Sequence, residues 1–210
     1  VLMNPDLALL HPYPFEKLAE LQQGCQPPSD LPHISLSIGE PKHPTPGFIT
    51  EAVISHLHGL SAYPTTAGSI ELRHTIANWL DQRFQLAGHI DPLSQVLPVN
   101  GTREALFAFA QAIIDRRKDP LIVMPNPFYQ IYEGAAFLAG AEPYLLNCTE
   151  ETSFVPDFDA VPASVWSRCQ LLYLCSPGNP TGAIVDAETL TKLIQLAHEY
   201  DFIIAADECY

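Results

Sequence analysis

The segment LLYLCSPGNPTG, residues 171–182, combines the two features on which the fold prediction depends. Its first five side chains are apolar without interruption, which is typical of a β-strand that is buried on both faces of a sheet. The next seven residues are turn formers, and Asn179 lies between Gly178 and Pro180. Because these residues favour tight turns, the segment predicts a buried parallel strand that ends in a rigid loop.

Further apolar runs lie on both sides of this segment, at residues 96–99, 121–124, 143–146 and 202–206. Apolar residues at helical spacing predict helices between these runs, at residues 102–116, 128–138 and 190–200. We expect Asp186 to cap the last helix. Strands that alternate with helices imply right-handed crossovers. The predicted fold is therefore an α/β three-layer sandwich, in which a mainly parallel sheet carries helices on both faces.

The first hundred residues follow a different pattern. Helical spacing predicts helices over residues 14–23, 48–57 and 70–84, and Ser69 is the expected N-cap of the third. The intervening segment from Gly24 to Pro46 is rich in Pro, Ser and Gly. We therefore divide the chain into an N-terminal arm and small-domain segment, residues 1–46, and the first part of a large α/β domain, residues 47–210.

Composition narrows the classes of function. The 210 residues include 10 Lys and Arg against 24 Asp and Glu, which gives a formal net charge of −14 at pH 7. Such a protein repels phosphate backbones and anionic lipid surfaces, so we expect no nucleic-acid and no membrane partner. The five cysteines contain no CxxC pair, which favours reduced thiols in the cytoplasm. No spacing of Cys and His resembles a zinc site.

The residues that follow the predicted strands are the candidates for binding, because open parallel sheets bind ligands beyond the carboxyl ends of their strands. Gly101 and Thr102 follow one run and begin a helix, whose N–H groups and dipole suit a phosphate. Taken alone, this turn is explained more simply by Thr102 as the N-cap of the helix. Tyr129 offers an aromatic face to a flat ligand, although a core contact is the alternative.

Asn179 and Asp207 follow the next two strands. Asn179 could present its amide to a ligand or could belong to an ordinary turn. A carboxylate at the end of an apolar strand is costly unless it is paired, so Asp207 indicates a cation, a protonated ring nitrogen, a salt bridge or a helix cap. Tyr210 adds a phenol three residues later. Together these loops contain the groups needed to hold pyridoxal phosphate.

Six short motifs then occur in an order that resembles the class I/II aminotransferases, which are pyridoxal-phosphate enzymes of fold type I. The motifs are SIGEP (37–41), YPTTAG (63–68), NGTREAL (100–106), PFY (127–129), SPGNPTG (176–182) and DECY (207–210). Within the family, three longer stretches most closely resemble the bacterial succinyldiaminopimelate aminotransferases of lysine biosynthesis. These are HPYPFE (11–16), GEPKHPTP (39–46) and PNPFYQIYEG (125–134).

The resemblance implies how four residues would contact the cofactor ring. Asp207 would pair with the pyridine nitrogen and keep it protonated, so that the ring can withdraw electrons. Asn179 and Tyr210 would hydrogen-bond the phenolate oxygen, and Tyr129 would stack on the ring face.

The resemblance also implies a phosphate site, a partner subunit and a substrate loop. Backbone amides of Gly101, Thr102 and Arg103 would hold the phosphate. Tyr63 would reach the phosphate of the neighbouring subunit's cofactor, which implies a homodimer. Gly39 would lie against the substrate carboxylate through its backbone, and we expect Lys42 to lie near the substrate.

The chain contains no lysine in a position that matches the catalytic one. Transamination requires a lysine that forms a Schiff base and moves the proton, and this sequence has only Lys17, Lys42, Lys118 and Lys192. In the family that lysine follows the Asp-x-x-Tyr segment, and the arginine that binds the α-carboxylate comes later still. We therefore expect the chain to be the N-terminal part of the enzyme, without two strands that separate residues 96–99 from the rest of the sheet.

The leading functional prediction is transfer of an amino group from glutamate to a keto or aldehyde acceptor, with 2-oxoglutarate as the product of the donor. The subfamily resemblance implies N-succinyl-2-amino-6-oxopimelate as the acceptor. Another class I aminotransferase or a β-eliminating lyase would share most of these motifs. The sensor domain of a transcriptional regulator is less favoured, because the first motif begins by His11 with no winged helix before it and because the acidic chain has no basic recognition surface.

Overall fold

A computed structural model describes residues 3–210. The chain divides into two compact units, one of residues 1–21 with 100–210 and one of residues 22–99. These units are groups of mutually contacting residues within this chain. The domain boundary predicted after residue 46 stays a prediction.

Helices and strands are numbered along the chain within the described part. The helices are α1 (Pro14–Gln22), α2 (Gly47–Ser55), α3 (Ile70–Phe84), α4 (Thr102–Ile113), α5 (Gln130–Ala139), α6 (Ala163–Trp166) and α7 (Ala187–Tyr200). The strands are β1 (Leu121–Asn126), β2 (Glu142–Asn147), β3 (Cys169–Cys175) and β4 (Ile203–Asp207). Short 3-10 helices, which sequence patterns did not predict, cover Pro5–Leu9, Leu57–Ser61, Arg116–Lys118 and Glu150–Thr152.

The unit of residues 22–99 contains α2 and α3. The predicted limits of α3 are confirmed, because it begins at Ile70, where the Ser69 hydroxyl accepts a hydrogen bond from the Leu72 N–H at 3.1 Å. The prediction of a strand at residues 96–99 is wrong. Those residues pair with no strand in the described chain. An isolated strand would leave its backbone N–H and C=O groups without hydrogen-bond partners. Arg73 satisfies the Val96 carbonyl instead, at 2.9 Å.

The other unit is built around a four-stranded parallel sheet with the order β2-β1-β3-β4. All four strands correspond to predicted apolar runs. Asp186 caps α7 as predicted, since its carboxylate accepts a hydrogen bond from the Thr189 N–H at 2.8 Å. The predicted α/β sandwich is therefore confirmed.

Successive side chains of the two central strands point to opposite faces of the sheet. Ile122 and Tyr173 belong to a buried cluster that includes side chains of α4 and α5. Val123 and Leu172 belong to a second cluster, which includes Trp166 of α6 and side chains of α7. This alternation explains why the strands are apolar at every position, because each face is covered by helices.

The strand order creates a crevice at the carboxyl edge of the sheet. From β1 the chain passes through α5 to β2, whereas from β3 it passes through α7 to β4, on the other side of β1. Because α5 and α7 pack on opposite faces, the loops after β1 and β3 leave in opposite directions. This is the topological switch point at which such sheets bind ligands.

Residues before α1 belong to the same unit and make polar contacts with its other part. Asp6 pairs with Arg116 at 3.0 Å, and His11 lies 2.9 Å from the carboxylate of Glu133 on α5. Helix α1 itself buries no side chain. Among the described residues, no helix is both long enough and apolar enough to cross a bilayer.

Candidate active site

A cavity of about 220 Å³ opens at the switch point of the sheet. Residues from the loops after all four strands and from the start of α4 line it. Five of the predicted site residues are among them: Thr102, Tyr129, Asn179, Asp207 and Tyr210. The fold thus brings together side chains that are up to 108 positions apart (210 − 102).

Asp207 is the last residue of β4 and is only 8% exposed. Its Oδ2 atom accepts a hydrogen bond from the Tyr132 hydroxyl at 2.6 Å. No Lys, Arg or His pairs with this carboxylate among residues 3–210, and it caps no described helix. The two structural alternatives for Asp207, a salt bridge and a helix cap, are therefore absent from this part of the chain.

Tyr132 lies on α5 and also lines the cavity. Burial and the hydrogen bond to Asp207 raise the pKa of the Tyr132 phenol far above its ordinary value. The phenol therefore stays protonated and acts as a donor to the carboxylate. Sequence reasoning assigned no role to Tyr132. The signal was available, because Tyr132 is three positions after Tyr129 and residues at that spacing share one face of a helix.

The N-terminus of α4 is free of a side-chain cap. Gly101 is the N-cap residue, and no side chain accepts a hydrogen bond at this helix start. The alternative interpretation of Thr102 as an N-cap is wrong, since Thr102 is the first helical residue and its Oγ1 accepts a hydrogen bond from the Cys209 thiol at 3.5 Å. Unsatisfied N–H groups and the positive end of the dipole remain at this terminus, which suits an anion.

Gly101 and Arg103 flank Thr102 but are not among the residues that line the cavity. The Arg103 guanidinium donates from Nε to the Tyr129 hydroxyl at 2.9 Å. This hydrogen bond raises the pKa of Arg103. The contact fixes the outer end of the Tyr129 side chain, whose ring meets Tyr132 edge-on at a centroid distance of 6.0 Å. The predicted contact of the Gly101 and Arg103 backbones with a phosphate stays a prediction.

The loop that carries Asn179 is closed by hydrogen bonds within itself. The Gly178 N–H donates to the Ala183 carbonyl at 2.8 Å, and the Gly182 N–H donates to the Gly178 carbonyl at 2.7 Å. A Cβ atom at Gly178 would lie 2.9 Å from the Thr181 hydroxyl, so a larger residue would disturb the loop. A closed loop of this kind holds the Asn179 side chain at the cavity without help from a ligand.

Tyr210 and three cysteines complete the polar lining. Tyr210 lines the cavity although it is 65% exposed. Burial and nearby Cys175 and Asp207 raise the pKa of its phenol. Cys148, Cys175 and Cys209 also line the cavity, as free thiols. Burial raises the pKa of Cys148 and of Cys175.

Within residues 3–210, no cluster of His, Cys, Asp and Glu is arranged to hold a metal ion.

One wall of the cavity was not predicted from the sequence. It consists of Phe154, Val155 and Pro156, which follow β2. Ser153 and Phe154 adopt left-handed backbone angles, with φ of 53° and 59°. Such a turn at non-glycine residues carries no sequence signature, and this explains why the wall was missed.

Three predicted site residues belong to the other unit. Gly39, Lys42 and Tyr63 lie within residues 22–99 and are exposed, and Tyr63 is fully so. Their predicted roles stay predictions. None of the four lysines lines the cavity, and Lys192 is engaged with Asp159 at 3.4 Å.

The sheet, its switch-point cavity and the uncapped helix start define an α/β domain with a candidate ligand site. Comparison with known proteins specifies the family. The chain belongs to the family of class I and II aminotransferases, whose model matches residues 32–210.

Individual relatives agree with this assignment. The LL-diaminopimelate aminotransferase of Syntrophobacter fumaroxidans is 34% identical over 206 residues, which are 97% of this chain and 52% of that protein. An aminotransferase of Neisseria meningitidis has a crystal structure with a TM-score of 0.91 and 47% identity, covering 99% of this chain and 53% of that one. The aminotransferase AspB of Helicobacter pylori gives a TM-score of 0.87 at 36% identity, covering 96% and 52%. The chain thus spans about half the length of these relatives.

Pyridoxal phosphate is the cofactor that this family and fold imply, and the residues of the cavity fit it. A buried carboxylate with no cationic partner in the described chain suits a protonated ring nitrogen. The uncapped helix start suits a phosphate. Tyr129 supplies an aromatic ring, and Asn179 and Tyr210 supply hydrogen-bonding groups at the same cavity.

Proposed function

We propose that this chain forms most of the cofactor site of a pyridoxal-phosphate-dependent aminotransferase, which exchanges an amino group between glutamate and an amino or oxo acid. One observation supports the proposal above the others. Thr102, Tyr129, Asn179, Asp207 and Tyr210 come from four separate segments and line one cavity. The aminotransferase names of the relatives favour transamination over β-elimination.

Asp207 has the central role in this proposal. When bound, pyridoxal phosphate supplies an electron-withdrawing ring that stabilises negative charge at the α-carbon of the substrate. That capacity depends on a protonated ring nitrogen, and Asp207 would hold the proton there. A carboxylate with so little exposure gains more from such a partner than an exposed one would, because charge pairs are screened less when water is excluded.

The remaining contacts would orient the ring. Tyr129, held by Arg103, would cover one ring face. Asn179 on its closed loop and Tyr210 would donate hydrogen bonds to the phenolate oxygen. The N–H groups at the start of α4, from Gly101 to Arg103, would bind the phosphate, and the Thr102 hydroxyl would add a donor.

The other catalytic and substrate-binding residues would come from outside the group that lines the cavity. The Schiff-base lysine and the arginine for the substrate carboxylate would belong to a further part of the same enzyme. Tyr63 would contact the cofactor phosphate of a second subunit in a homodimer. Gly39 and Lys42 would contact the substrate.

We propose a diaminopimelate-type acceptor, N-succinyl-2-amino-6-oxopimelate. The stretches at residues 11–16, 39–46 and 125–134 favour this succinylated substrate. The names of the relatives favour the unsuccinylated compound, LL-diaminopimelate, which is the competing candidate. At 34% identity or less, a change of acceptor within one reaction class is compatible with the same fold.

The two candidates can be separated with the full-length protein loaded with cofactor. N-succinyl-LL-diaminopimelate and LL-diaminopimelate are each supplied with 2-oxoglutarate, and glutamate formation is measured. We expect a higher kcat/KM for the succinylated compound. A higher value for the free compound would assign the relatives' substrate. Pyruvate release from cystathionine, without conversion of the cofactor to its amine form by glutamate, would contradict the proposed aminotransferase.

A further inference from the structure

Tyr132 is only 1% exposed and is one of the residues that line the cavity. Its ring stacks on Tyr173 with a centroid distance of 4.4 Å and an interplanar angle of 10°. Tyr129 meets it edge-on from another side. These contacts on two sides leave the ring little freedom, so the position of its hydroxyl is set by packing.

That fixed hydroxyl donates to one oxygen of Asp207. The Oη to Oδ2 distance is 2.6 Å, which is typical of a strong hydrogen bond to a carboxylate. A carboxylate has two oxygens, and occupation of Oδ2 restricts rotation of the whole group about its last bond. The Oδ1 atom then has a defined direction in which it can accept from a second donor.

We propose that Tyr132 is a positioning residue for the Asp207 carboxylate, which it holds so that the other oxygen faces a protonated ring nitrogen in the cavity. This inference rests on the proposed function, since it assumes a pyridine ring at that place. Tyr132 acts through Asp207 and touches no reacting atom. Its removal should therefore weaken binding only of ligands that carry the ring nitrogen.

The chain offers a matched control in Tyr173. It is as buried as Tyr132 and stacks on it. Its hydroxyl also makes a hydrogen bond, at 2.7 Å, but to the backbone carbonyl of Leu106 on α4. Tyr173→Phe thus removes one buried phenol hydrogen bond without touching Asp207, whereas Tyr132→Phe removes the one that reaches the carboxylate.

The test measures binding of two probes to the cofactor-free, full-length protein. One probe is pyridoxal phosphate, and the other is its 1-deaza analogue, in which C–H replaces the ring nitrogen. We expect Tyr132→Phe to weaken binding of pyridoxal phosphate about tenfold, in the lower range for one hydrogen bond to a charged group. Binding of the deaza analogue should change by less than about twofold, and Tyr173→Phe should leave both affinities within about twofold.

A double-mutant cycle with Asp207→Asn provides the second measurement. If Tyr132 acts through the carboxylate, Tyr132→Phe should have little further effect in the Asp207→Asn background. Equal losses for both probes, or equal effects of Tyr132→Phe and Tyr173→Phe, would overturn the inference and assign Tyr132 a packing role. Circular dichroism melts of each variant identify any that fails to fold, and if Tyr132→Phe is one of them the cycle is repeated with Tyr132→Met, which also removes the hydroxyl donor.

A wild-type protein that binds neither probe would instead refute the proposed function, and the inference with it. Wild-type binding of pyridoxal phosphate with no selective loss in Tyr132→Phe would refute the inference alone. The two failures are therefore distinguishable.

Discussion

The two compact units differ in how much of their apolar surface they bury. The unit that contains the sheet supplies nearly all the buried apolar side chains, whereas residues 22–99 contribute only Ala77 and Val96 to the buried set of the described chain. In the second unit, Phe48 is 73% exposed and Leu60 is 81% exposed. The sheet unit therefore has a core of its own, whereas many apolar side chains of the other unit stay exposed among the described residues.

This difference shows in which part of the molecule local sequence patterns are sufficient to predict secondary structure. A parallel sheet with helices on both faces pairs its backbone groups within itself, so apolar runs there become strands. The same kind of run at residues 96–99 has no strand partner in the described chain and stays irregular. The predictions below test whether the site and the stability of the protein depend on the sheet unit in the way this comparison indicates.

The largest expected effect concerns Asp207. Asp207→Asn should weaken binding of pyridoxal phosphate by about 3–5 kcal/mol, the usual loss when one partner of a buried charge pair is removed. Binding to the full-length protein is measured by fluorescence titration. Asp186→Asn is the control, because it makes the same substitution at the cap of α7 and asparagine is as good an N-cap as aspartate. An affinity of Asp207→Asn within about threefold of wild type, a difference of under 1 kcal/mol, would contradict the proposed ring-nitrogen contact.

The second prediction compares one leucine from each unit. Leu172→Ala in β3 removes a fully buried side chain and should lower the free energy of unfolding by about 2–5 kcal/mol. Leu60→Ala removes a side chain that is 81% exposed and should change it by less than about 0.5 kcal/mol. Urea unfolding followed by circular dichroism measures both. A comparable loss for Leu60→Ala would show that another part of the protein buries the second unit's apolar face.

The third prediction compares the helix caps. Ser69→Ala at α3 and Asp186→Ala at α7 each remove a capping hydrogen bond and should each cost about 1 kcal/mol. If the protein unfolds in one transition, both variants should shift the midpoint of that single unfolding transition. If the units unfold separately, Ser69→Ala should shift only the transition of residues 22–99. Hydrogen exchange resolved by peptide separates these outcomes.

Parts of the fold and the site were predictable because their signals are local. Ser69 and Asp186 predict the starts of the helices that they cap. The apolar runs predict strands that are covered by helices on both faces. The binding loops followed from the rule that ligands lie beyond the strand ends. The Tyr132 hydroxyl contact was not predicted, because it joins side chains 75 positions apart. The cap assigned to Thr102 failed for a similar reason, since its hydroxyl accepts from Cys209 across the fold.

The smallest expected effect concerns two aspartates, one in each unit: Asp91 is exposed and Asp115 is half-buried. The hydrogen bond from Arg117 lowers the pKa of Asp115 to about 2, and the hydrogen bond from the Ser94 hydroxyl lowers the pKa of Asp91 below its ordinary value. A carboxyl whose pKa is lower in the folded state stabilises the protein above its unfolded pKa, and this contribution disappears as the pH falls through the folded pKa.

Arg117→Ala should therefore return the pKa of Asp115 to its ordinary range, as measured by NMR titration. Because Arg117 is exposed and solvent screens the pair, its effect on stability should be small at pH 7. The difference in stability between wild type and Arg117→Ala should shrink as the pH falls from about 4 to about 2. Ser94→Ala should act in the same direction on Asp91 in the other unit. A stability difference that persists unchanged at pH 2 would assign the effect of Arg117 to packing of its side chain instead of its charge.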